Sequence, residues 1–505
     1  MKFFKIEVIV LLVYLMSPQK NRAQVTGTPY IPPPYVPCTT AGTDFWVSFG
    51  KNFIYDNAAS LLLRLNISAG VTTKVTLNFM ANGTTTDYMI PGGTVLPIDL
   101  NAVVGGTAAG DRRSNVYLSL PNVNTGASAT PFISSNTLHI TSERPISVYA
   151  FNTGIQTTDA TILFPVSAWG KEYYRLSYVP LNYDPDQYDC EMIIADEDST
   201  KLFLNGSATP FTTLNKGQVY YNPSNADLTG RYITSSNPVA YFSHVSTALV
   251  PALRNFADIL YEQMPPVNQW GKRFLVPNAL QEGLNTPNNH IRIIASQETT
   301  TVHYSGATLV TGLGTPIADN GILNKGQWFE LEIGGTATTG KCFIQTDKPV
   351  GVAAYMVGGN DDNNTYIPPN PPPSYGYGGD PSIAWVPSLS QTIPSVTISP
   401  FLFPANSSPN TQLDAASAKH YMLIVTPTNT KEITQVNGGQ LGAAGWIDDA
   451  ESGYSYYRWD FNNTNDINEP FVVSNYNGVL VFCGGFVFKE TYYYNAGSGT
   501  CEINQ

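Results

Sequence analysis

The stretch CEMIIADEDSTKLFLNG, residues 190–206, reads Ile-Ile-Ala, a polar turn, three alternating positions and a glycine. One hundred residues later the same order returns as HIRIIASQETTTVHYSG, 290–306. A third copy is YMLIVTPTNTKEITQVNG, 421–438, and a looser one is LLLRLNISAGVTTKVTLNFMANG, 61–83. Each is an apolar strand, a turn rich in Thr, Ser, Asn or Asp, and a second strand, which is the pattern of a β-hairpin. A hairpin that recurs along the chain predicts an architecture built from copies of one unit.

Flanking segments repeat in step. LNKGQVYY (214–221) is matched by LNKGQWFE (323–330), with IPGGTVLPIDL (90–100) and ESGYSYYRWDF (451–461) in the corresponding places. HITSERPISVYAFN (139–152), YITSSNPVAYFSH (232–244), FIQTDKPVGVAAYM (343–356) and FVVSNYNGVLVFCGG (471–485) follow. These predict a strand, a four-residue polar turn closed by Pro145, Pro238 or Pro349, and an apolar strand buried on both faces. In PVSAWGKEY (165–173) and PVNQWGKRF (266–274) the Trp-Gly-Lys precedes an aromatic strand, and GTDFWVSFG (42–50) has the same order of Gly, polar, acidic or basic, and aromatic residues. Units therefore begin near Gly42, Gly170 and Gly271, with a fourth after Trp385. Trp169, Gly170, Trp270 and Gly271 are placed at module junctions, where a buried aromatic contributes to packing more than to ligand binding.

A chain of 505 residues exceeds a single core. Charged residues make up only 13%, and no segment carries Ala, Leu, Glu and Lys at helical spacing. The fold class read from this is all-β, four tandem β-sandwich-like modules, with a β-propeller-like arrangement as the alternative. Residues 1–23 read as a signal peptide, with Lys2 and Lys5 ahead of an apolar run too short to span a membrane. Residues 24–41 form a Pro-rich linker. The modules fall at 42–168, 169–269, 270–388 and 389–505, the third with a Pro/Tyr/Gly-rich insertion at 358–381.

Cleavage after Ala23 would remove Lys2, Lys5, Lys20, Arg22 and Glu7, taking the net charge from −12 to −15. So acidic a chain without a basic cluster is not built for nucleic acid or anionic membrane. The five cysteines are too scattered for a disulfide-stapled scaffold or a zinc site, and a Cys483–Cys501 bridge is the pairing considered. Six Asn-x-Ser/Thr sequons (Asn66, Asn82, Asn205, Asn363, Asn406, Asn462) are also what so Asn- and Thr-rich a chain carries by chance.

GTDFW, ITSERPISVYAFN and the stretch TTDATILFPVSAWGKEYY together resemble the N-terminal domain family of the IgG Fc-binding proteins. The likeness runs on through IASQETT, LNKGQWFELEI, TDKPVGVAAYM, IVTPTNTKEIT and ETYYYNAG, about residues 42–498, and is nearest to the secreted bacterial members. The resemblance implies a protein-binding role outside the cell. It carries no residue-level binding motif onto this chain.

Catalytic or metal chemistry would fall to the histidines and carboxylates. His139, His244, His290, His303 and His420 lie in or beside repeat strands and none has a metal-binding spacing; there is no nucleophile elbow or phosphate loop. Asp184, Asp186 and Asp189 (NYDPDQYDC) and Asp196, Glu197 and Asp198 (ADEDST) could supply the carboxylate pair of a glycoside hydrolase. Asp196 and Asp198 are also the calcium candidates, although the Asp-x-Asp-x-Asp-Gly order is missing, and a solvated turn is the preferred reading. Tyr375 and Tyr377, among glycines in the insertion, are the candidate binding residues, weighed against a loop that covers a sheet edge.

No catalytic residue, resident metal or cofactor is assigned. The function expected is a secreted or cell-surface, non-enzymatic binding or adhesion protein for a mucin- or immunoglobulin-like glycoprotein. The alternatives are a carbohydrate-active enzyme or glycan binder with carboxylates in an inter-module cleft, and a structural component of an extracellular matrix.

Overall fold

The computed structural model describes residues 38–52, 61–101, 111–120, 129–154, 157–181, 187–252, 256–279, 289–317, 321–335, 339–358, 379–401, 418–462, 469–487 and 490–503. Residues 1–23, expected to be a signal peptide, and nearly all of 24–41, expected to be a linker, lie outside them. Among the described residues the chain is all-β, with one seven-stranded and three eight-stranded sheets, short 3-10 turns and a two-stranded pair, Phe49–Gly50 with Tyr117–Leu118.

Each sheet is organised by one long strand: Leu138–Gly154, Tyr232–Ala248, Lys341–Met356 and Phe471–Val487. Its first half pairs with the opening strand of the unit and with the second strand of the repeated hairpin. Its second half pairs with the first hairpin strand and with a strand that follows it. One strand thus serves both ends of its sheet, and the sheet curls around it.

The polar quartets within the long strands are bulges, not the turns expected from sequence. Gly42 pairs with Ile146 and Asp44 with Thr141, so Ser142–Pro145 have no partner on the opening strand. The same jump occurs at Gly170/Val239 and Glu172/Thr234, at Gly271/Val350 and Arg273/Gln345, and at Ile393/Val479 and Ser395/Ser474. Ser142, Ser235 and Thr346 each donate a hydroxyl to the carbonyl two residues on, at 2.6–2.8 Å. Proline suits such a site because its missing N–H is not needed by that ladder.

The cores lie between sheets. Leu63 and Ile67 of the first sheet cluster with Met192 and Phe242 of the second. On the opposite face of the second sheet, Ile193 and Tyr241 cluster with Ile294 and Tyr355 of the third. Ile291 and Val352 of the third meet Leu423 and Phe482 of the fourth. Met422 and Val481 then return to Tyr149 and Phe151 of the first. Asp189–Ala195 and His290–Ala295 are buried on both faces, and the sheets close a ring, the propeller-like arrangement held as the alternative. The strand Phe132–Ser134, from the segment assigned to the first module, adds to the edge of the second sheet.

The innermost strands Thr157–Ile162, Asp258–Met264, Ser382–Trp385 and Glu490–Asn495 lie side by side around the middle. Side chains of one strand satisfy the free backbone edge of the next. The backbone N–H groups of Ile259, Tyr261 and Gln263 donate to Thr157, Asp159 and Thr161 at 3.3, 2.9 and 3.0 Å. Trp385 N–H donates to Glu262 at 3.0 Å, and Ser382 hydroxyl to Asp159. A buried edge left bare would cost about 1–3 kcal/mol per unmet group.

Burial pushes the Asp159 and Glu262 carboxyls well above their ordinary values of 3.8 and 4.5. Both are raised relative to the unfolded chain, so their contribution to stability is complete below those ordinary values and is lost as pH rises through the folded-state ones. Glu262→Gln keeps an acceptor for Trp385 N–H and removes the proton. From about pH 5 to about pH 9, the stability of the wild type measured by urea unfolding should fall relative to that of Glu262→Gln. A constant difference would show that Glu262 does not titrate as described.

The ring is closed where the chain ends meet. Cys38 is disulfide-bonded to Cys501, a sequence separation of 463. Thr40 N–H donates to Ser498 carbonyl at 3.1 Å and Thr500 N–H to Cys38 carbonyl at 2.9 Å. This corrects the Cys483–Cys501 pairing. Cys483 sits in mid-strand opposite Met422 and Tyr494, fully buried, with its thiol pushed up to about 12 by that burial.

Glycine marks the seams. A Cβ on Gly170 would run into Pro266, one on Gly42 into Pro165, and one on Gly271 into Ser388. Gly170→Val should therefore destabilise the fold by about 1–3 kcal/mol. Chemical denaturation checks this, and an unchanged midpoint would show that the seam has room.

Candidate functional site

The opening strand of the second sheet, Gly170–Tyr174, and the 3-10 turn Val267–Gln269 face each other across the seam between the second and third sheets. The turn is fixed from within: Trp270 N–H donates to Val267 carbonyl at 3.0 Å, and Trp270 Nε1 to Pro265 carbonyl at 3.3 Å. Trp169 repeats that bond to Phe164 carbonyl at 3.0 Å. Trp270 is 1% exposed and lies between Tyr174 and Trp385, ring centroids 6.0 and 5.7 Å away. Trp169 and Trp270 are thus packed inward, with Gly170 and Gly271 against the neighbouring turn.

Beside this seam opens a pocket of about 460 Å3 lined by Glu172, Val267, Asn268, Ser296, Gln297, Lys325, Glu502 and Ile503. Five pieces of chain build it, at 172, 267–268, 296–297, 325 and 502–503. Lys325 comes from the Asn-Lys-Gly turn of the third sheet; it pairs with Glu172 at 3.6 Å and lies 4.7 Å from the centroid of the Tyr232 ring. Tyr232 hydroxyl donates to Glu172 at 2.8 Å. From the chain end, Glu502 accepts from Asn268 Nδ2 at 2.6 Å and Ile503 N–H donates to Asn268 carbonyl at 3.1 Å. The equivalent lysine one sheet earlier, Lys216, reaches back to the first sheet, 5.8 Å from the Trp46 ring, but pairs with Asp196 of its own sheet's hairpin, at 2.9 Å.

The carboxylates singled out from sequence go to different places. Asp196 accepts from Trp46 Nε1 at 3.1 Å besides pairing with Lys216, and Asp198 accepts from Lys216 N–H at 2.9 Å. Among the described residues no group of three or more His, Cys, Asp or Glu is placed to hold a metal ion. Asp189 is fully buried against the Arg175 guanidinium and Ser177. Burial pushes its carboxyl up, to about 7, against the pull of Arg175. Asp184, Asp186, Tyr375 and Tyr377 lie outside the described residues. Of the histidines, His244 is buried on Lys51 carbonyl at 2.9 Å and lowered by that burial to about 3. His139 stacks on Trp46, and His303 and His420 bond Glu451 and Tyr492.

A buried ionic cluster that no motif or spacing in the sequence marks lies between the second and third sheets. Arg292 pairs with Glu330 at 2.8 Å and Asp227 at 2.7 Å, donates to Ser177 carbonyl at 2.6 Å, and lies 4.0 and 4.4 Å from the Tyr178 and Trp328 rings. His290 bonds Glu330 at 2.5 Å. Burial alone would raise the Glu330 carboxyl; His290 and Arg292 overcome it and hold the group below its ordinary value. The signal was present as single charges inside apolar strand patterns, HIRIIA and WFELEI. Apart from the partly exposed Asp227 the cluster is buried, and its members come from both sheets, which it ties together.

The family described as IgGFc binding protein matches residues 159–477, more than half of the chain. The chain belongs to this family. It is also 30% identical over 186 residues to the human IgGFc-binding protein, covering 34% of this chain and 3% of that protein. This family member therefore spans a small fraction of that relative's length. No solved structure matches. Among the described residues no helix is long and apolar enough to cross a membrane.

Proposed function

We propose that this chain is an extracellular, non-enzymatic binding protein that recognises a protein or glycoprotein ligand through the outer surfaces and seams of its ring. The observation that carries the reading is family membership across residues 159–477, in a family named for binding an immunoglobulin region. Two features support it. A disulfide between distant chain ends belongs to an oxidising compartment. The carboxylates Glu172 and Glu502 of the pocket are each held by a protein donor, which suits recognition better than proton transfer.

The test is direct binding of the purified chain to immunoglobulin Fc, mucin and polysaccharide by surface plasmon resonance. Saturable binding to a protein or glycoprotein is expected. Failure with all three would contradict the reading and favour a matrix component. Hydrolysis of a glycan panel that is lost in Glu172→Gln or Asp198→Asn would instead favour the carbohydrate-active enzyme.

A further inference from the structure

We propose that the pocket between the second and third sheets is a saccharide subsite for one neutral pyranose unit of a glycan, and that it is complete only while the Cys38–Cys501 disulfide is closed. The proposal rests on the binding reading above and names the chemistry of one part of it.

The pocket, about 460 Å3, falls within the roughly 300–1,000 Å3 of small-molecule sites. Its wall mixes acceptors and donors: two carboxylates, two side-chain amides, the Lys325 ammonium, and the Ser296 hydroxyl oxygen, whose proton goes to Pro349 carbonyl at 2.6 Å. The apolar carbons of Val267 and Ile503 lie among them. A sugar presents the same mixture, because each hydroxyl both donates and accepts while the ring C–H face is apolar. Among the described residues Tyr232 and Lys325 both approach Glu172 on Oε1, which leaves Oε2 for a ligand donor. With Glu172 and Glu502 against one lysine, the wall disfavours an anionic sugar. Its polar lining disfavours a purely apolar ligand.

Dependence on the disulfide follows from chain order. Glu502 and Ile503 come directly after Cys501, and the disulfide ties that point to Cys38. Opening it removes the covalent tie next to the two residues that carry one of the two carboxylates and one of the two apolar groups. Residues 498–500 keep their hydrogen bonds to residues 38–40 and Gln391, but Glu502 and Ile503 themselves are then held by a pair of hydrogen bonds to Asn268 on the turn. Such bonds contribute only about 1 kcal/mol each.

The experiment titrates the full chain with galactose, glucose, mannose, N-acetylglucosamine, N-acetylgalactosamine and N-acetylneuraminic acid, read by saturation-transfer NMR and calorimetry. The expected result is millimolar binding of a neutral sugar, since one ring makes few contacts. Lys325→Ala and Asn268→Ala should each weaken it about tenfold. Cys38→Ser/Cys501→Ser should do the same at a temperature where circular dichroism shows the variant folded. Absence of binding by every neutral sugar, preference for N-acetylneuraminic acid, competition by a lysine-rich peptide, or full binding by Lys325→Ala would overturn the subsite. Wild-type affinity in the Cys38→Ser/Cys501→Ser variant would overturn its dependence on the disulfide. A glycoprotein that still binds after enzymatic deglycosylation would remove the subsite while leaving the binding reading standing.

Discussion

Arg292→Ala is expected to destabilise the protein by about 3–5 kcal/mol, because removing one member of a buried ion pair leaves its partners uncompensated. Two carboxylates, Glu330 and Asp227, converge on this guanidinium, and it donates to Ser177 carbonyl across the sheet boundary. Burial opposes its charge, and the two carboxylates hold its pKa above the ordinary value. The Tyr178 and Trp328 rings lie beside it and would lose their cation–π contact together with the charge. Arg292→Lys should recover only part of the loss, since an ammonium cannot serve both carboxylates and a carbonyl from one planar fork. Urea unfolding monitored by tryptophan fluorescence measures this. A midpoint unchanged in Arg292→Ala would mean that the cluster does not join the sheets.

The second large effect concerns the closure of the ring. Cys38→Ser/Cys501→Ser removes a link across 463 residues of sequence. Native disulfides of this kind are worth about 2–5 kcal/mol, and the chain-entropy contribution grows with the length of chain enclosed. The fourth and first sheets should separate first, because their shared core lies next to the closure. Calorimetry of the oxidised protein and of the variant is expected to show a lower transition for the variant. Hydrogen exchange should be faster in Phe471–Val487 and Glu490–Asn495 than in the strands of the second and third sheets. Uniform loss of protection would show that the closure is not a local seam.

The strand content and the repeat were legible because both are local. Alternation in KLFLNG and turn residues in DEDST act over a few positions, and the four copies share them. The polar quartets misled because a bulge exposes the same residues that a turn would; only the pairing of Gly42 with Ile146 and Asp44 with Thr141 separates the two. The two-sided burial of strands such as ISVYAFN could be read, but the sheet covering each face could not, so the ring stayed an alternative.

Pairing of Cys38 with Cys501 was beyond reach for the same reason: it is a property of ring closure, and nothing near either cysteine encodes it. The pocket draws Glu172, Asn268, Lys325 and Glu502 from four distant segments, and no spacing rule joins them. Asp159, Glu262 and Arg292 could have been found as lone charges in apolar strands. Their roles depend on which backbone edge or carboxylate lies opposite.

Closure of the sheets into one ring by the two chain ends is the claim on which both the seams and the pocket depend. Peptide mapping of the non-reduced protein by mass spectrometry tests it most directly. The structure predicts a cross-linked pair of peptides carrying Cys38 and Cys501, with Cys190, Cys342 and Cys483 alkylated only after denaturation. A cross-link between Cys483 and Cys501, or ready labelling of Cys38 and Cys501 in the folded protein, would contradict the closed ring.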